Sequence, residues 1–181
     1  MPLRVKTARD EAQQATPVRG NNYVLIIFDS CRYDSLVEAR PRTICKLGTL
    51  EQRWSYASWT APSHYNLLSG LLPHHSPKQV FASDYYKKDL LQVVGGKLKE
   101  NGNGNLFFSR AKCRMLRDRQ VKAIQYLDRV VEELFDIVPK NTYVTITADH
   151  GELFGEDGYF GHGPIQHEKV LEVPFVEGKL R

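Results

Sequence analysis

The chain has 181 residues, a length that suits one domain with a single core and leaves little room for two. With 41% hydrophobic and 25% charged residues, its composition is that of a globular protein and excludes a disordered or membrane-embedded chain. The net charge of +4 is too small to predict nucleic acid binding, so we expect no nucleic-acid partner.

Cysteine usage and hydropathy bear on the location of the protein. Its three cysteines form no CxxC pair, which disfavours both a disulfide scaffold and a cysteine-based zinc site. The first 22 residues lack an apolar run of signal-peptide length, and no stretch reaches the about 20 apolar residues that span a bilayer. We therefore expect a cytoplasmic protein with no membrane partner. Nothing in the sequence predicts its oligomeric state.

The first elements follow a polar segment. Residues 1–22 show no periodicity and are predicted to form an N-terminal arm, with one α/β domain over 23–181. YVLIIF at 23–28 is apolar and branched, which predicts a strand buried on both faces of a parallel sheet. A helix is predicted for 35–51 and a short strand for 53–57.

The later elements alternate between helices and strands. A capped helix with an early proline is predicted for 60–73, and a second helix for 87–102. A strand is predicted for 105–109, followed by a long amphipathic helix at 111–138, where apolar residues recur every three or four positions. The last predicted strands are 143–147 and 172–178. This alternation predicts a three-layer αβα sandwich around a mostly parallel sheet.

Acidic side chains follow two of these strands directly. Asp29 ends the first strand, and Asp149 with His150 ends the strand that begins at Tyr143. Ligands bind at the carboxyl ends of strands in open α/β sheets. If the two strands are parallel neighbours, the carboxylates lie close enough to share a divalent cation. Alternatively, each acid only caps the turn or helix that follows it.

Thr60 opens the helix predicted for 60–73. A hydroxyl at this position lies at the positive end of the helix dipole, among backbone N–H groups that favour a phosphate or sulfate. The alternative is that Thr60 is only an N-cap.

Four stretches carry a family resemblance in their order: FDSCRYD at 28–34, WTAPSHYNLLSGLLPHH at 59–75, TADHGELFGEDGYFGHG at 147–163 and EVPF at 172–175. Together they resemble the signatures of the alkaline phosphatase/sulfatase superfamily, particularly its sulfatase-like and phosphoethanolamine-transferase-like branches. The resemblance implies an alkaline-phosphatase-like fold in a compact member of that superfamily.

The resemblance also implies roles for individual residues. Asp29, Asp149 and His150 match metal ligands of the family. Thr60 matches the nucleophile, which also contacts the metal, and a threonine in place of cysteine argues against a formylglycine sulfatase. His64 stands beside the nucleophile where sulfatases have an arginine.

Other positions match the family pattern only in part. His162 matches a histidine that contacts the substrate anion or a second metal. Ser30 occupies the place of a second acid in many sulfatases, and no histidine lies between His75 and Asp149. These departures disfavour a complete second metal site.

The implied function is a metal-dependent hydrolase of small anionic phosphate, sulfate or phosphonate esters, in which the threonine forms a covalent intermediate. Carboxylate, hydroxyl and imidazole ligands favour zinc or manganese over calcium. Two alternatives stay open: a non-catalytic domain that binds an anion or a metal, and a transferase that moves a phosphoryl-linked group.

Further residues near these motifs have structural interpretations. We predict a local ion pair between Arg32 and Asp34 and a buried structural role for Cys31. Glu152 is either the hydrogen-bond partner of a histidine ligand or a solvated loop acid. His167 is a weaker candidate for the site. The basic run from Arg110 to Lys122 is interpreted as a solvated helix face.

Overall fold

The computed structural model describes residues 22–70, 109–163 and 165–181. A 3-10 turn lies at Glu156–Gly158. The other elements, in chain order, are β1 (Tyr23–Phe28), α1 (Tyr33–Ala39), α2 (Arg42–Leu47), β2 (Glu51–Trp54), α3 (Thr60–Ser69), α4 (Arg110–Ile137), β3 (Tyr143–Ala148), β4 (Leu153–Phe154), β5 (Phe160–Gly161), α5 (Glu168–Leu171) and β6 (Glu172–Lys179). The N-terminal arm up to residue 21, the helix predicted at 87–102 and residues 105–108 of a predicted strand lie outside the described residues.

Four strands form one mixed sheet in the order β1-β3-β6-β2, and β4 and β5 form a separate antiparallel pair. Within the larger sheet β1 pairs with β3 in parallel, whereas β6 pairs with both β3 and β2 in antiparallel fashion. The prediction of a three-layer sandwich around a mostly parallel sheet is therefore wrong. The prediction that β1 is buried on both faces is also wrong, because β1 is an edge strand among the described strands and most of it is only partly buried.

The reversed direction of β6 explains the error. A parallel return to the sheet needs a crossover of a dozen or more residues, usually a helix. The described residues between β3 and β6 instead contain the short β4-β5 pair and the four-residue α5. β6 consequently starts at the edge where β3 ends and runs back beside it. Because β2 is antiparallel to β6, the strands β1, β2 and β3 still point the same way.

The hydrophobic core lies between one face of this sheet and the helices α1, α2 and α4. Val144 and Ile146 of β3 are buried against Leu36 of α1, Ile44 of α2 and Ile124 of α4. The long amphipathic helix predicted for 111–138 is confirmed as α4. The helix predicted for 35–51 is instead two short helices, since Pro41 is the N-cap of α2. Within the described part of the chain, no helix is both long and apolar enough to cross a membrane.

Asp128 joins α4 to the start of α2. Its carboxylate accepts hydrogen bonds from the backbone N–H groups of Arg42 (2.8 Å), Thr43 (3.1 Å) and Ile44 (2.9 Å). Pro41, the N-cap of α2, makes no side-chain capping bond. A buried acid from another helix therefore satisfies the free N–H groups at this helix start.

We expect Asp128→Ala to lower the free energy of unfolding by about 3 kcal/mol, because it leaves three backbone donors without their acceptor. Urea unfolding followed by circular dichroism measures the change. Asp118→Ala, an exposed acid on the same helix, is the matched control and should change stability by less than about 0.5 kcal/mol. Equal effects of the two substitutions would contradict the capping role of Asp128.

Candidate functional site

Two strand ends bring the acidic residues together. β1 and β3 pair in parallel with Phe28 opposite Ala148, so Asp29 and Asp149 leave the sheet side by side. The two strands are parallel neighbours, which is the condition under which the sequence predicted a shared site for the two acids. His150 follows Asp149 and joins them: one ligand atom from each of the three residues lies within 4.8 Å of the others.

The three side chains differ in their exposure. Asp149 and His150 are fully buried, whereas the side chain of Asp29 is 74% exposed. The Nε2 atom of His150 lies 3.4 Å from Oδ2 of Asp149 and 3.9 Å from Oδ1 of Asp29. The cluster is thus buried on the β3 side and open to solvent on the β1 side.

Thr60 reaches the same cluster from the start of α3. β2 points the same way as β1 and β3, so the loop that follows it delivers Thr60 to the same edge of the sheet. The Thr60 hydroxyl lies 3.2 Å from Nε2 of His150. Trp59 is the N-cap of α3, and Thr60 is the first helical residue. The alternative in which Thr60 serves only as an N-cap is therefore wrong.

The start of α3 favours an anion. The N–H groups of Thr60 and Ala61 have no carbonyl partner within the helix, because the first turn of any helix lacks one. The helix dipole adds positive potential at this end. His64 lies one turn further along, with its Nε2 atom 3.6 Å from Oδ2 of Asp149. That nitrogen is buried and has no hydrogen-bond partner among the described residues.

The tautomer of His150 follows from its backbone contact. Its Nδ1 lies 2.9 Å from the carbonyl oxygen of Gly151 and donates to it. In a neutral imidazole the other nitrogen then carries a lone pair. In that neutral form the lone pair of Nε2 faces Thr60, Asp29 and Asp149, as a metal ligand requires.

Asp149 is satisfied on one oxygen only. Its Oδ1 accepts the backbone N–H groups of Ser30 (3.0 Å) and His150 (2.9 Å). Its Oδ2 is buried and accepts no hydrogen bond from any residue that the structure describes. Burying a carboxylate oxygen without a donor or a cation costs free energy.

The spacing of these atoms suits a small divalent cation. A tetrahedral ion with bonds of about 2.0–2.2 Å holds its ligand atoms about 3.3–3.6 Å apart. The distances from His150 Nε2 to Thr60 Oγ1, Asp149 Oδ2 and Asp29 Oδ1 are 3.2, 3.4 and 3.9 Å. The first two distances are close to this range, and the third, to the exposed Asp29, is longer. The donor types suit a small divalent cation, and Oδ2 of Asp149 has no hydrogen-bond partner among the described residues.

His162 lies beside the cluster. Its ring centroid is 4.3 Å from that of His150, and its Nδ1 donates to the Glu152 carboxylate at 2.9 Å. The hydrogen bond to Glu152 raises the pKa of His162; burial opposes this rise, and the nearby charges of Glu152, Asp29 and Asp149 add to it. Glu152 thus partners His162 and not His150, the histidine assigned as a metal ligand.

Comparison with known proteins identifies no relative. No protein-family model, curated protein or solved structure matches this chain. The function of this edge of the sheet is therefore inferred from its geometry and chemistry.

Two serines near the site had no signal in the sequence. The Ser55 hydroxyl donates to the backbone carbonyl of Asp149 and lies 3.2 Å from the hydroxyl of Ser63. Ser63 in turn donates to the carbonyl of Ala57 at 3.0 Å. These contacts hold the loop before Thr60 against the end of β3. Ser55 had been placed inside a predicted strand, one residue beyond the observed end of β2.

Gly151, which follows Asp149 and His150, lies against the backbone of α5. Its N–H donates to the carbonyl of Val170 at 2.7 Å. A Cβ atom at this position would lie 2.1 Å from the carbonyl oxygen of Lys169. Only glycine permits this approach between the end of β3 and α5.

Arg32 makes the predicted ion pair and a second that was not predicted. It contacts Asp34 at 2.6 Å, Glu156 at 2.5 Å and the carbonyl oxygen of Glu152 at 3.2 Å. Burial raises the pKa of Asp34, but the hydrogen bond from Arg32 and the positive charges of Arg32, Arg117 and Lys169 together outweigh burial, so the net shift is downward. Arg32 therefore links the residues after β1 to the loop that carries Glu152.

The remaining candidates serve other purposes. His167 is the N-cap of α5, where its Nδ1 accepts from the backbone of Lys169. Cys31 is buried as predicted, and burial raises the pKa of its thiol to about 12. The basic run lies on α4, where most of its members are exposed.

Proposed function

We propose that this protein is a metal-dependent hydrolase of phosphate or related anionic esters, with Thr60 as the nucleophile. Asp29, Asp149 and His150 bind the metal together with the Thr60 hydroxyl. One observation carries the proposal: the buried Oδ2 of Asp149 has no hydrogen-bond partner among the described residues and lies 3.4 Å from Nε2 of His150. The Thr60 hydroxyl lies 3.2 Å from that same nitrogen.

The ligand set favours zinc or manganese, because imidazole nitrogen is a poor ligand for calcium. When bound, such a cation lowers the pKa of a coordinated hydroxyl and polarises the ester oxygens. Threonine is a weak nucleophile by itself and needs this kind of activation.

The reaction proceeds in two displacements. The Thr60 hydroxyl releases its proton to solvent, its oxygen forms a bond to phosphorus, and the ester P–O bond breaks. The alcohol leaves with that electron pair and takes up a proton. A water molecule then attacks phosphorus and releases a proton, and the Thr60 oxygen departs with the electron pair of its P–O bond and is reprotonated. For a phosphate monoester the products are the alcohol and inorganic phosphate, with the enzyme regenerated.

Two histidines and the start of α3 surround the phosphoryl oxygens in this scheme. His64 presents a buried nitrogen that has no hydrogen-bond partner in the described part of the chain. The hydrogen bond to Glu152 favours the protonated form of His162, which is a donor on both nitrogens. The N–H groups of Thr60 and Ala61 complete the donor set. Donors aimed at charge that develops in the transition state lower the barrier.

The motif resemblance to the alkaline phosphatase/sulfatase superfamily supports the same assignment. Threonine at position 60 favours the phosphoesterase branches over formylglycine sulfatases. Sulfate and phosphonate esters share the tetrahedral anion and remain substrates to be tested. The open side of the site at Asp29 gives a small ester access to Thr60.

A panel of aryl esters tests the proposal. The protein, freed of metal by chelation and reloaded with Zn²⁺ or Mn²⁺, is assayed against aryl phosphate monoesters, phosphodiesters and sulfates. We expect tight binding of one ion per chain and hydrolysis of at least one ester class, lost on chelation and restored by metal. Bound metal without turnover of any ester would instead establish the non-catalytic binding domain. Turnover that requires an added alcohol acceptor would establish the transferase.

A further inference from the structure

Ser30 has a backbone conformation that needs an explanation. It follows Asp29 at the end of β1, and its φ is 58°, in the left-handed region that residues other than glycine, asparagine and aspartate rarely adopt. Such conformations persist where the surrounding structure imposes them, and they cluster at functional sites.

The conformation brings Ser30 into contact with both acids of the cluster. Its backbone N–H donates to Oδ1 of Asp149 at 3.0 Å, and its hydroxyl donates to Oδ1 of Asp29 at 2.9 Å. The Nε2 amide group of Gln120, on α4, donates to the Ser30 carbonyl at 2.8 Å. The backbone of Ser30 is thus held from α4 while its two donors face the two carboxylates.

We propose that Ser30 is a positioning residue that orients the carboxylates of Asp29 and Asp149 for a single cation. This inference rests on the metal site of the proposed function. The backbone hydrogen bond engages Oδ1 of Asp149 and leaves its Oδ2 to the ion. The hydroxyl hydrogen bond engages Oδ1 of Asp29 and limits the rotation of this exposed side chain, while the other lone pairs of its carboxylate stay open to the ion. A residue that hydrogen-bonds to metal ligands in this way raises affinity because less side-chain freedom is lost on binding.

A second explanation is that the Ser30 hydroxyl only stabilises a local turn, as serine side chains often do. The two explanations differ in their effect on metal binding. A turn role changes the stability of the metal-free protein alone. A positioning role changes the affinity for the metal.

Two substitutions at Ser30 separate the hydroxyl from the backbone. Ser30→Ala removes the hydroxyl and keeps an unfavourable left-handed residue, whereas Ser30→Gly removes the hydroxyl and relieves the backbone strain. Zn²⁺ titration of metal-free protein by calorimetry should show binding weaker by about tenfold in both variants. Ser30→Gly should be the more heat-stable of the two without metal, so it remains measurable if Ser30→Ala folds poorly.

Asn141→Ala is the matched control. Asn141 also has a left-handed φ, of 67°, and lies just before β3, at the opposite edge of the sheet from the site. The substitution places the same strained alanine away from the acids, so Zn²⁺ affinity should equal that of the wild type while thermal stability falls.

Three outcomes overturn the inference. Wild-type Zn²⁺ affinity in both Ser30 variants leaves the metal site standing and refutes the role of Ser30. An equal loss in Asn141→Ala attributes the effect to stability rather than to positioning. A wild-type protein that binds neither Zn²⁺ nor Mn²⁺ refutes the proposed function itself, and with it the inference.

Discussion

Thr60→Ala is expected to lower kcat on any ester that the wild type hydrolyses by at least about a thousandfold, because the substitution removes the oxygen proposed to form the covalent intermediate. The hydroxyl lies 3.2 Å from His150 and opens α3. Alanine is a good helix former, so the helix should persist. Steady-state assays measure the loss, and rapid quenching followed by mass spectrometry should find a phosphoryl adduct on the wild type alone.

Thr60→Ser is the matched control for this experiment. Serine keeps the hydroxyl and loses only a methyl group, so kcat should stay within about tenfold of the wild type. A Thr60→Ala variant that retains turnover within tenfold would show that water attacks the ester directly, and the covalent mechanism would fall while the metal site survived.

Asp149→Asn is expected to weaken Zn²⁺ binding by at least about a hundredfold, because it removes the charge of a fully buried side chain proposed as a ligand while conserving its shape. The carbonyl oxygen of the amide can still accept from the N–H groups of Ser30 and His150. Without metal, the variant should be at least as stable as the wild type, since it buries no uncompensated charge beside Asp29.

Thermal midpoints measured with and without Zn²⁺ separate the loss of Zn²⁺ affinity from the change in metal-free stability. At a Zn²⁺ concentration about 100 times the wild-type Kd, binding should stabilise the wild type by about 2.7 kcal/mol and the variant far less. Asp157→Asn changes an exposed acid of the neighbouring loop and should behave as the wild type does. Equal stabilisation of Asp149→Asn and the wild type by Zn²⁺ would refute Asp149 as a ligand.

Local patterns located most of the described elements but not their arrangement. The three-and-four spacing of apolar residues predicted α4 within one residue at each end, and the apolar runs predicted β1 and β3. Those patterns depend on local backbone geometry, which neighbouring residues determine. The direction of β6 depends instead on how the chain between β3 and β6 returns, and no local pattern records it.

Local patterns likewise located only some of the residues of the candidate site. Asp29, Asp149 and Thr60 stand where β1 and β3 end and where the loop after β2 begins a helix, and strand ends are visible in sequence. The hydrogen bonds of Ser30 with Asp149 and of Gln120 with Ser30 join residues 119 and 90 positions apart. The ion pair between Arg32 and Glu156 likewise joins residues that lie far apart in the chain, 124 positions.

The sequence by itself determined which chemical groups stand at the strand ends and at the start of α3, because those positions follow from local periodicity and from the helix start. Only the tertiary structure decided that β6 runs backward between β3 and β2, and that Ser30 contacts both acids. Three strands nevertheless point the same way in this mixed sheet, so their carboxyl ends meet at one edge. Convergence of the site depends on that shared direction, which one reversed strand does not change.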